Sequence, residues 1–167
     1  MRLALLLSAA LALGACANPQ LRGAGLDGQT GAGIGPGGVG SIDDPSSAAF
    51  FAGRVGDRVL FAVDQSTLGD DARGTLSAQA AWLLANPQFD AVIEGHADEQ
   101  GTREYNLALG ARRAAAAQEF LVAQGVAPGR VRTVTYGKER PIEICSTESC
   151  YAQNRRAVTV LAAGAGV

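Results

Sequence analysis

From about residue 50 onward, the apolar residues of the chain follow two different periods. Four short segments alternate between apolar and polar positions, or are almost wholly apolar, as strands are: Arg58–Val63, Phe89–Glu94, Val131–Thr135 and Ala157–Leu161. Polar, glycine-containing stretches bound each segment, which is where turns are expected. The pattern therefore predicts a sheet of about four short strands.

Two helical patterns lie among these strands. Apolar residues recur every three to four positions from Leu76 to Leu84, and Pro87 ends the run. A longer helix is predicted from Arg103 to Gln124, with Gly125 beyond its end as a C-terminal cap. A further short helix is predicted in the loop before the last strand. This order predicts an α/β sandwich, in which helices cover a small mixed sheet.

The N-terminus, MRLALLLSAALALGAC, has the pattern of a secretory signal peptide, here residues 1–15. A basic Arg2 precedes an apolar run that is too short for a permanent membrane span. The run ends in Leu13-Gly14-Ala15-Cys16, which resembles the lipobox of bacterial lipoproteins, so Cys16 is predicted to carry lipid. The alternative is an ordinary signal peptide with an incidental cysteine.

Residues 16–49 form a glycine-rich segment without any apolar period, and the folded domain is predicted to occupy residues 50–167. Many of the 22 glycines of the chain lie in this segment, which predicts a flexible linker. A phosphate-binding loop is the alternative, but no strand precedes the segment and no GK[ST] ends it.

The net charge and the cysteines limit which binding partners and which kinds of site are expected. A formal net charge of -2 argues against nucleic acid, whose binding surfaces carry clustered positive charge. Cys145 and Cys150 are close together in ICSTESC. Because an exported protein enters an oxidising compartment, a disulfide between them is favoured over zinc binding or redox catalysis. We therefore expect neither a metal nor another cofactor.

The stretch EGHADEQGTREYN, residues 94–106, concentrates the polar chemistry of the chain. His96, Asp98 and Glu99 could form an acid–base group or a metal site, but no second histidine exists to complete either one. No serine or threonine lies in a nucleophile elbow such as GxSxG. Binding without catalysis is therefore favoured, and His96 is expected to be a hydrogen-bonded structural or rim histidine.

The helix that follows adds paired arginines to these acids. Tyr105, Leu109, Ala116 and Phe120 lie on one stripe of the predicted helix, and Arg112 and Arg113 fall on its two flanks. A carboxylate and a guanidinium side by side would suit a ligand that carries both an ammonium and a carboxylate. The alternative is that both arginines only form structural pairs with nearby acids.

The motifs from EGHADEQGTREYN to LGARR, followed by TVTYGKERP and QNRRA, closely resemble the peptidoglycan-associated lipoproteins, whose periplasmic domain is of the outer-membrane protein A (OmpA) C-terminal type. The resemblance covers about residues 58–161. It implies non-covalent binding to the diaminopimelate residue of the peptidoglycan stem peptide, and no enzymatic activity. It also implies the Tol system as partners, namely TolB in the periplasm and TolA in the inner membrane.

The resemblance assigns roles residue by residue. Asp98 and Arg113 correspond to the two residues expected to bind the zwitterionic end of diaminopimelate. The positions expected to shape the site around them are Gly101, Thr102, Tyr105, Asn106 and Asp64. Asn154, Arg155 and Arg156 match the family motif and are read as architectural.

The chain departs from the family pattern at two places. Gln100 stands where DERG motifs have arginine, and Leu60-Phe61-Ala62-Val63-Asp64 stands where many members read YFDFD. Neither Ala17 nor Asn18 is the aspartate that retains lipoproteins in the inner membrane, so attachment to the outer membrane is expected. The remaining alternatives are an envelope lipoprotein of this fold outside the Tol system, and a cell-wall hydrolase.

Overall fold

The computed structural model describes residues 40–163, which form a mixed four-stranded sheet with helices packed against it. The predicted signal peptide, Cys16 and most of the linker lie outside the described residues. The strands are β1 (Arg58–Leu60), β2 (Phe89–His96), β3 (Val131–Gly137) and β4 (Arg156–Ala163). The helices are α1 (Ala48–Phe50), α2 (Asp70–Ala85), α3 (Arg103–Ala123) and α4 (Glu148–Asn154), with a π-helix at Phe51–Gly56 and a 3₁₀ turn at Pro128–Arg130.

The strand order across the sheet is β1-β4-β2-β3. β4 pairs antiparallel with both β1 and β2, whereas β2 and β3 are parallel and joined through α3. Parallel neighbouring strands need such a crossover, because a tight turn reverses the direction of the chain and can join only antiparallel strands. The predicted α/β class and the mixed sheet of about four strands are confirmed.

One face of the sheet carries the core. Ile93 of β2 has no exposed surface, and it belongs to the same buried cluster as Leu76 and Leu83 of α2 and Leu121 of α3. Gly95 and Gly110 bring β2 and α3 into backbone contact, since a Cβ added at Gly95 would lie 1.9 Å from the Gly110 oxygen. This contact holds the first turns of α3 beside the end of β2.

The first strand is shorter than the sequence predicts. Pairing with β4 ends at Leu60, and the chain then turns away from the sheet to Asp64, which has a φ of 56°. The carbonyl oxygen of Ala62 accepts a hydrogen bond from Arg113 at 3.2 Å. The predicted strand Arg58–Val63 is therefore wrong in its second half. The strand pairing does not continue, because the Phe61 carbonyl accepts from the Arg155 side chain and the Arg155 N–H donates to the Tyr151 carbonyl.

The helix ends follow the sequence closely. Thr102 caps α3 by accepting from the Tyr105 N–H at 3.2 Å, and Gly125 follows the helix with a φ of 104°. The short helix predicted before the last strand is α4, and Cys145 and Cys150 are joined by a disulfide across its start. None of the helices in residues 40–163 has both the length and the apolar character that a bilayer crossing requires.

Residues before the predicted domain boundary already contact the helix α2 and cap α1. The Trp82 indole donates to the Pro45 carbonyl at 2.7 Å, and the buried Ser47 donates to the Ser41 carbonyl at 2.6 Å while its oxygen caps α1. The division between linker at 16–49 and domain at 50–167 stays a prediction. These contacts show only that the packed chain includes residues 41–47.

Candidate ligand-binding site

A cavity of about 260 Å³ lies at the carboxyl end of β2. Two carboxylates, two amides and a phenol share its wall with a glycine and two aliphatic side chains. The lining residues are Val63, Asp64, Asp98, Gln100, Gly101, Tyr105, Asn106 and Leu109. Five of the seven residues predicted for the site therefore face one cavity, whereas Thr102 caps the adjacent helix and Arg113 lies beneath the surface.

Asp98 lies two residues beyond the end of β2 and is 9% exposed. Its Oδ1 accepts from the Gln100 N–H at 3.2 Å, and its Oδ2 accepts from Nη1 of Arg155 at 3.1 Å. A carboxylate has about four acceptor positions, so these two bonds leave capacity on each oxygen. Asp98 can therefore accept further hydrogen bonds from a donor inside the cavity.

The loop between Asp98 and α3 is held from both sides. Gly101 has a φ of 88°, which favours glycine, and its carbonyl accepts from Nζ of Lys138 at 2.6 Å. Asn106 is buried and donates through Nδ2 to the Gln100 carbonyl at 2.7 Å. The positive φ explains why the family pattern has glycine at position 101, because glycine permits this turn. The hydrogen bond to the Gln100 carbonyl explains the asparagine at position 106, because it holds the turn in place.

The opposite wall of the cavity is the turn that follows β1. The Tyr105 hydroxyl donates to Oδ1 of Asp64, so the turn is tied to the first turn of α3. Asp64 and Tyr105 are both exposed, and both reach the cavity. The left-handed conformation of Asp64 is one that aspartate tolerates better than most side chains.

Arg113 is fully buried beneath this turn, with no exposed surface. It donates through Nε to the Gln65 carbonyl at 2.7 Å, through Nη1 to the His96 carbonyl at 2.9 Å, and through Nη2 to the Ala62 carbonyl. Three of the five N–H groups are thus committed to main-chain acceptors among the described residues. The guanidinium also lies 5.2 Å from the centre of the Phe61 ring.

Burial lowers the pKa of Arg113 to about 10, partly offset by the nearby carboxylates of Asp98 and Asp64. The side chain therefore remains charged at neutral pH. A buried cation of this kind is stable only when its hydrogen-bonding groups are satisfied, which the three carbonyls largely achieve.

The buried face of α3 differs from the stripe predicted from sequence. Tyr105 is 44% exposed, and Phe120 is only partly buried. Arg112, predicted on one flank of this stripe, is exposed, whereas Arg113 is buried. The residues that α3 does bury are Asn106, Leu109, Gly110, Arg113, Ala114, Ala117 and Leu121. A polar asparagine and an arginine belong to the packed face, which an apolar period cannot detect.

The OmpA family model matches residues 60–155, which is more than half of the chain and includes the whole cavity. The peptidoglycan-associated lipoprotein of Mesorhizobium japonicum is 51% identical over 160 residues, covering 96% of this chain and 90% of that protein. The chain belongs to the peptidoglycan-associated lipoproteins of the OmpA family. The peptidoglycan-associated lipoprotein of Pseudomonas aeruginosa is 44% identical and covers 79% and 76%.

Two solved structures share the fold of this chain. The crystal structure of the peptidoglycan-associated lipoprotein from Burkholderia pseudomallei matches with a TM-score of 0.64 and 36% identity, over 72% of this chain and 98% of that one. The C-terminal domain of MotB from Helicobacter pylori matches with a TM-score of 0.60 at 19% identity, over 65% and 86%. The second likeness concerns the fold alone.

Arg155 is the site residue to which sequence reasoning assigned only an architectural role. It is 5% exposed, and its ion pair with Asp98 lies directly behind the cavity wall. The family motif QNRRA contains it, so the signal was present in the sequence. Its partner could not be read from the motif, because Asp98 lies 57 residues away along the chain.

His96 is 2% exposed, so it is a buried structural histidine and not a rim histidine. The prediction that it is hydrogen-bonded is wrong, because neither ring nitrogen has a hydrogen-bond partner among the described residues. Its ring lies 5.5 Å from that of Tyr136, and Nε2 is 3.6 Å from the Glu94 carboxylate. Burial, with the positive charges of Arg156 and Arg140, lowers the pKa of His96 to about 4. Within residues 40–163, no group of three or more His, Cys, Asp or Glu side chains is placed to hold a metal ion.

The depressed pKa of His96 predicts an acid-sensitive fold. The unfolded chain takes up the proton near pH 6.5, but the folded protein takes it up only near pH 4, so stability falls as the pH decreases through this window. We expect the wild type to lose about 2–3 kcal/mol more than His96→Gln between pH 7 and pH 4. Urea unfolding of both proteins at several pH values measures the difference. Parallel curves would show that His96 is not the cause.

Proposed function

We propose that this protein is an outer-membrane lipoprotein that binds peptidoglycan non-covalently. Lipid on Cys16 would anchor the protein in the membrane, and residues 16–49 would span the distance to the peptidoglycan layer. The domain would bind the diaminopimelate of the stem peptide. The names of its relatives support association with peptidoglycan and lipid attachment. The apolar run and lipobox in the sequence support export and lipidation at Cys16.

The observation that carries the proposal is the Asp98 carboxylate in the wall of the cavity. It keeps unused acceptor positions, and Asp64 adds a second carboxylate on the opposite wall. A charged hydrogen bond between an ammonium group and such a carboxylate is stronger than one between neutral groups. The amino group of diaminopimelate is the donor that these acids would bind.

The carboxylate of the same ligand would bind on the positive side of the cavity. The first N–H groups of α3 have no acceptor inside the helix, and Arg113 lies below with one N–H remaining on each terminal nitrogen. Because Arg113 has no exposed surface, a direct contact requires the residues above it to shift on binding. No proton transfer is needed anywhere in this scheme, which is consistent with a binding protein.

The partners follow from the family resemblance. TolB would bind the same domain in the periplasm, and TolA would join from the inner membrane. Such a connection between outer membrane and wall would support envelope integrity and constriction during division. Pulldown with TolB tests the assignment: a protein that binds the wall but not TolB would be an envelope lipoprotein outside the Tol system.

Co-sedimentation with purified peptidoglycan sacculi tests the site. The unlipidated chain from residue 16 onward, carrying Cys16→Ser, is compared with the same chain carrying Asp98→Asn. We expect the substitution to weaken binding at least about tenfold, because a charged hydrogen bond to the ligand is lost. The matched control is Glu119→Gln, which removes the same charge from an exposed position on α3 outside the cavity.

Competition identifies the ligand group. A stem tripeptide that ends in diaminopimelate should displace the protein from sacculi, and the same tripeptide ending in lysine should be far weaker because it lacks the second carboxylate. Equal sedimentation of wild type and Asp98→Asn would show that the cavity is not the wall-binding site. Release of soluble muropeptides from the sacculi would instead indicate a hydrolase.

A further inference from the structure

Arg155 connects three segments that surround the cavity. Its Nη1 donates to Oδ2 of Asp98 at 3.1 Å, and its Nε donates to the Phe61 carbonyl at 3.2 Å. The Phe61 N–H in turn donates to the Arg155 carbonyl at 2.9 Å. The planar guanidinium, 6% exposed, can hold these acceptors only in one arrangement, so it fixes the Asp98 carboxylate relative to the turn after β1.

The segment that carries Arg155 is itself fastened to the same loop. Nη2 of Arg155 donates to Oε1 of Glu148, at the start of α4. Asn154 is fully buried, accepts from the Ile142 and Glu143 N–H groups, and donates through Nδ2 to Oε1 of Glu99 at 3.0 Å. The adjacent residues Asp98 and Glu99 are therefore both held by side chains from the end of α4.

The disulfide closes this segment into a small unit. Cys145 lies in the loop that follows Glu143, and Cys150 lies within α4. The Cys150 N–H also donates to the Thr147 carbonyl at 3.1 Å, which completes the first turn of the helix. The cross-link therefore limits the movement of the loop and of α4 relative to each other.

We propose that Arg155 is a positioning residue for the ligand site and that the disulfide-closed segment of residues 142–155 supports it. The inference rests on the proposed function of the cavity. Arg155 occupies one acceptor position of the Asp98 carboxylate and thereby directs the remaining ones toward the cavity. A carboxylate already held in its binding orientation loses less freedom when the ligand arrives, which increases affinity.

The direction in which ligand affinity changes when Arg155 is removed distinguishes positioning of Asp98 from neutralisation of its charge. Arg155 carries the same charge as the ammonium that Asp98 would bind, so its electrostatic effect alone opposes binding. If Arg155 only neutralised Asp98, its removal would strengthen binding. If Arg155 positions Asp98, its removal weakens binding despite the gain in negative charge.

The test measures the dissociation constant of the diaminopimelate tripeptide, with the thermal midpoint recorded for each protein. We expect Arg155→Met to weaken binding about tenfold, and Arg155→Lys to weaken it less because lysine can keep one bond to Asp98. Arg156→Met is the matched control, because Arg156 is equally buried but does not contact Asp98. It should bind within about twofold of wild type.

Two further variants test the supporting segment. Cys145→Ser together with Cys150→Ser should weaken binding severalfold. Glu148→Gln should weaken binding less than this double variant, because the glutamine oxygen can still accept from Nη2 of Arg155 and solvent screens the charge of the 66% exposed Glu148 side chain. Should Arg155→Met fail to fold, Arg155→Gln replaces it with the same expected loss.

The possible outcomes distinguish this inference from the proposed function. If wild type binds, Asp98→Asn does not, and Arg155→Met binds as well as wild type or more tightly, positioning by Arg155 is overturned while the site stands. If Arg156→Met loses as much affinity as Arg155→Met, the effect is general destabilisation and the inference again fails. If wild type binds neither sacculi nor tripeptide, the proposed function is overturned, and this inference with it.

Discussion

Gly95→Ala is expected to lower the free energy of unfolding by more than about 4 kcal/mol, enough to leave much of the protein unfolded. A Cβ at this position would lie 1.9 Å from the Gly110 oxygen and 2.7 Å from its carbonyl carbon. Both groups belong to main chain in the centre of α3, so neither can move without separating the helix from the sheet. Urea unfolding followed by circular dichroism measures the loss.

Gly74→Ala is the matched control for this substitution. Gly74 is exposed on α2, and a Cβ there would meet no atom within 4 Å. It should raise stability by about 0.5–1 kcal/mol, because alanine favours the helix more than glycine does. A wild-type unfolding curve for Gly95→Ala would mean that β2 and α3 are farther apart than the structure shows.

Arg113→Met is expected to lower the free energy of unfolding by about 3–5 kcal/mol. The methionine would fill much of the volume but would remove the Arg113 donor from the carbonyls of Ala62, Gln65 and His96. Of these, the Ala62 carbonyl keeps the Gln65 N–H. Chemical unfolding checks this value, and Arg112→Met, at the exposed neighbouring position, should stay within about 0.5 kcal/mol of wild type. Equal stability of the two variants would contradict the structural role of Arg113.

This result would change how a binding defect at Arg113 is interpreted. An Arg113 variant that fails to sediment with sacculi could have lost either the ligand contact or the turn that forms one wall of the cavity. Asp98→Asn is the cleaner test, because Arg155 keeps its bonds to Phe61 and Glu148 when the Asp98 charge is removed. Binding should therefore be compared only among variants whose unfolding free energies have been measured.

Much of the candidate site could be predicted from sequence because its residues are close together along the chain. Asp98, Gly101, Tyr105 and Asn106 follow one another from the end of β2 into α3, so a single local motif places them on one side of the domain. The structure adds Asp64 opposite to them, as the resemblance implies. Val63 and Leu109 complete the wall, and Val63 lies in the segment that departs from the family pattern YFDFD.

The sequence by itself determined the elements and their class. Hydrophobic periods of two and of three to four residues reflect backbone geometry that acts over a single turn or strand, so a linear reading detects them. The capping threonine Thr102 and Gly125 marked the ends of α3 for the same reason, since each acts on the residues beside it.

Only the tertiary structure decided where Arg113 and Arg155 lie. Arg113 bonds carbonyls 48 and 51 residues earlier in the chain, and Arg155 bonds an aspartate 57 residues earlier. An arginine is normally a surface residue, and no local pattern shows that buried backbone carbonyls will accept hydrogen bonds from it in the core. The predicted stripe on α3 failed for this reason: burial there depends on acceptors that the fold brings to the helix from distant segments.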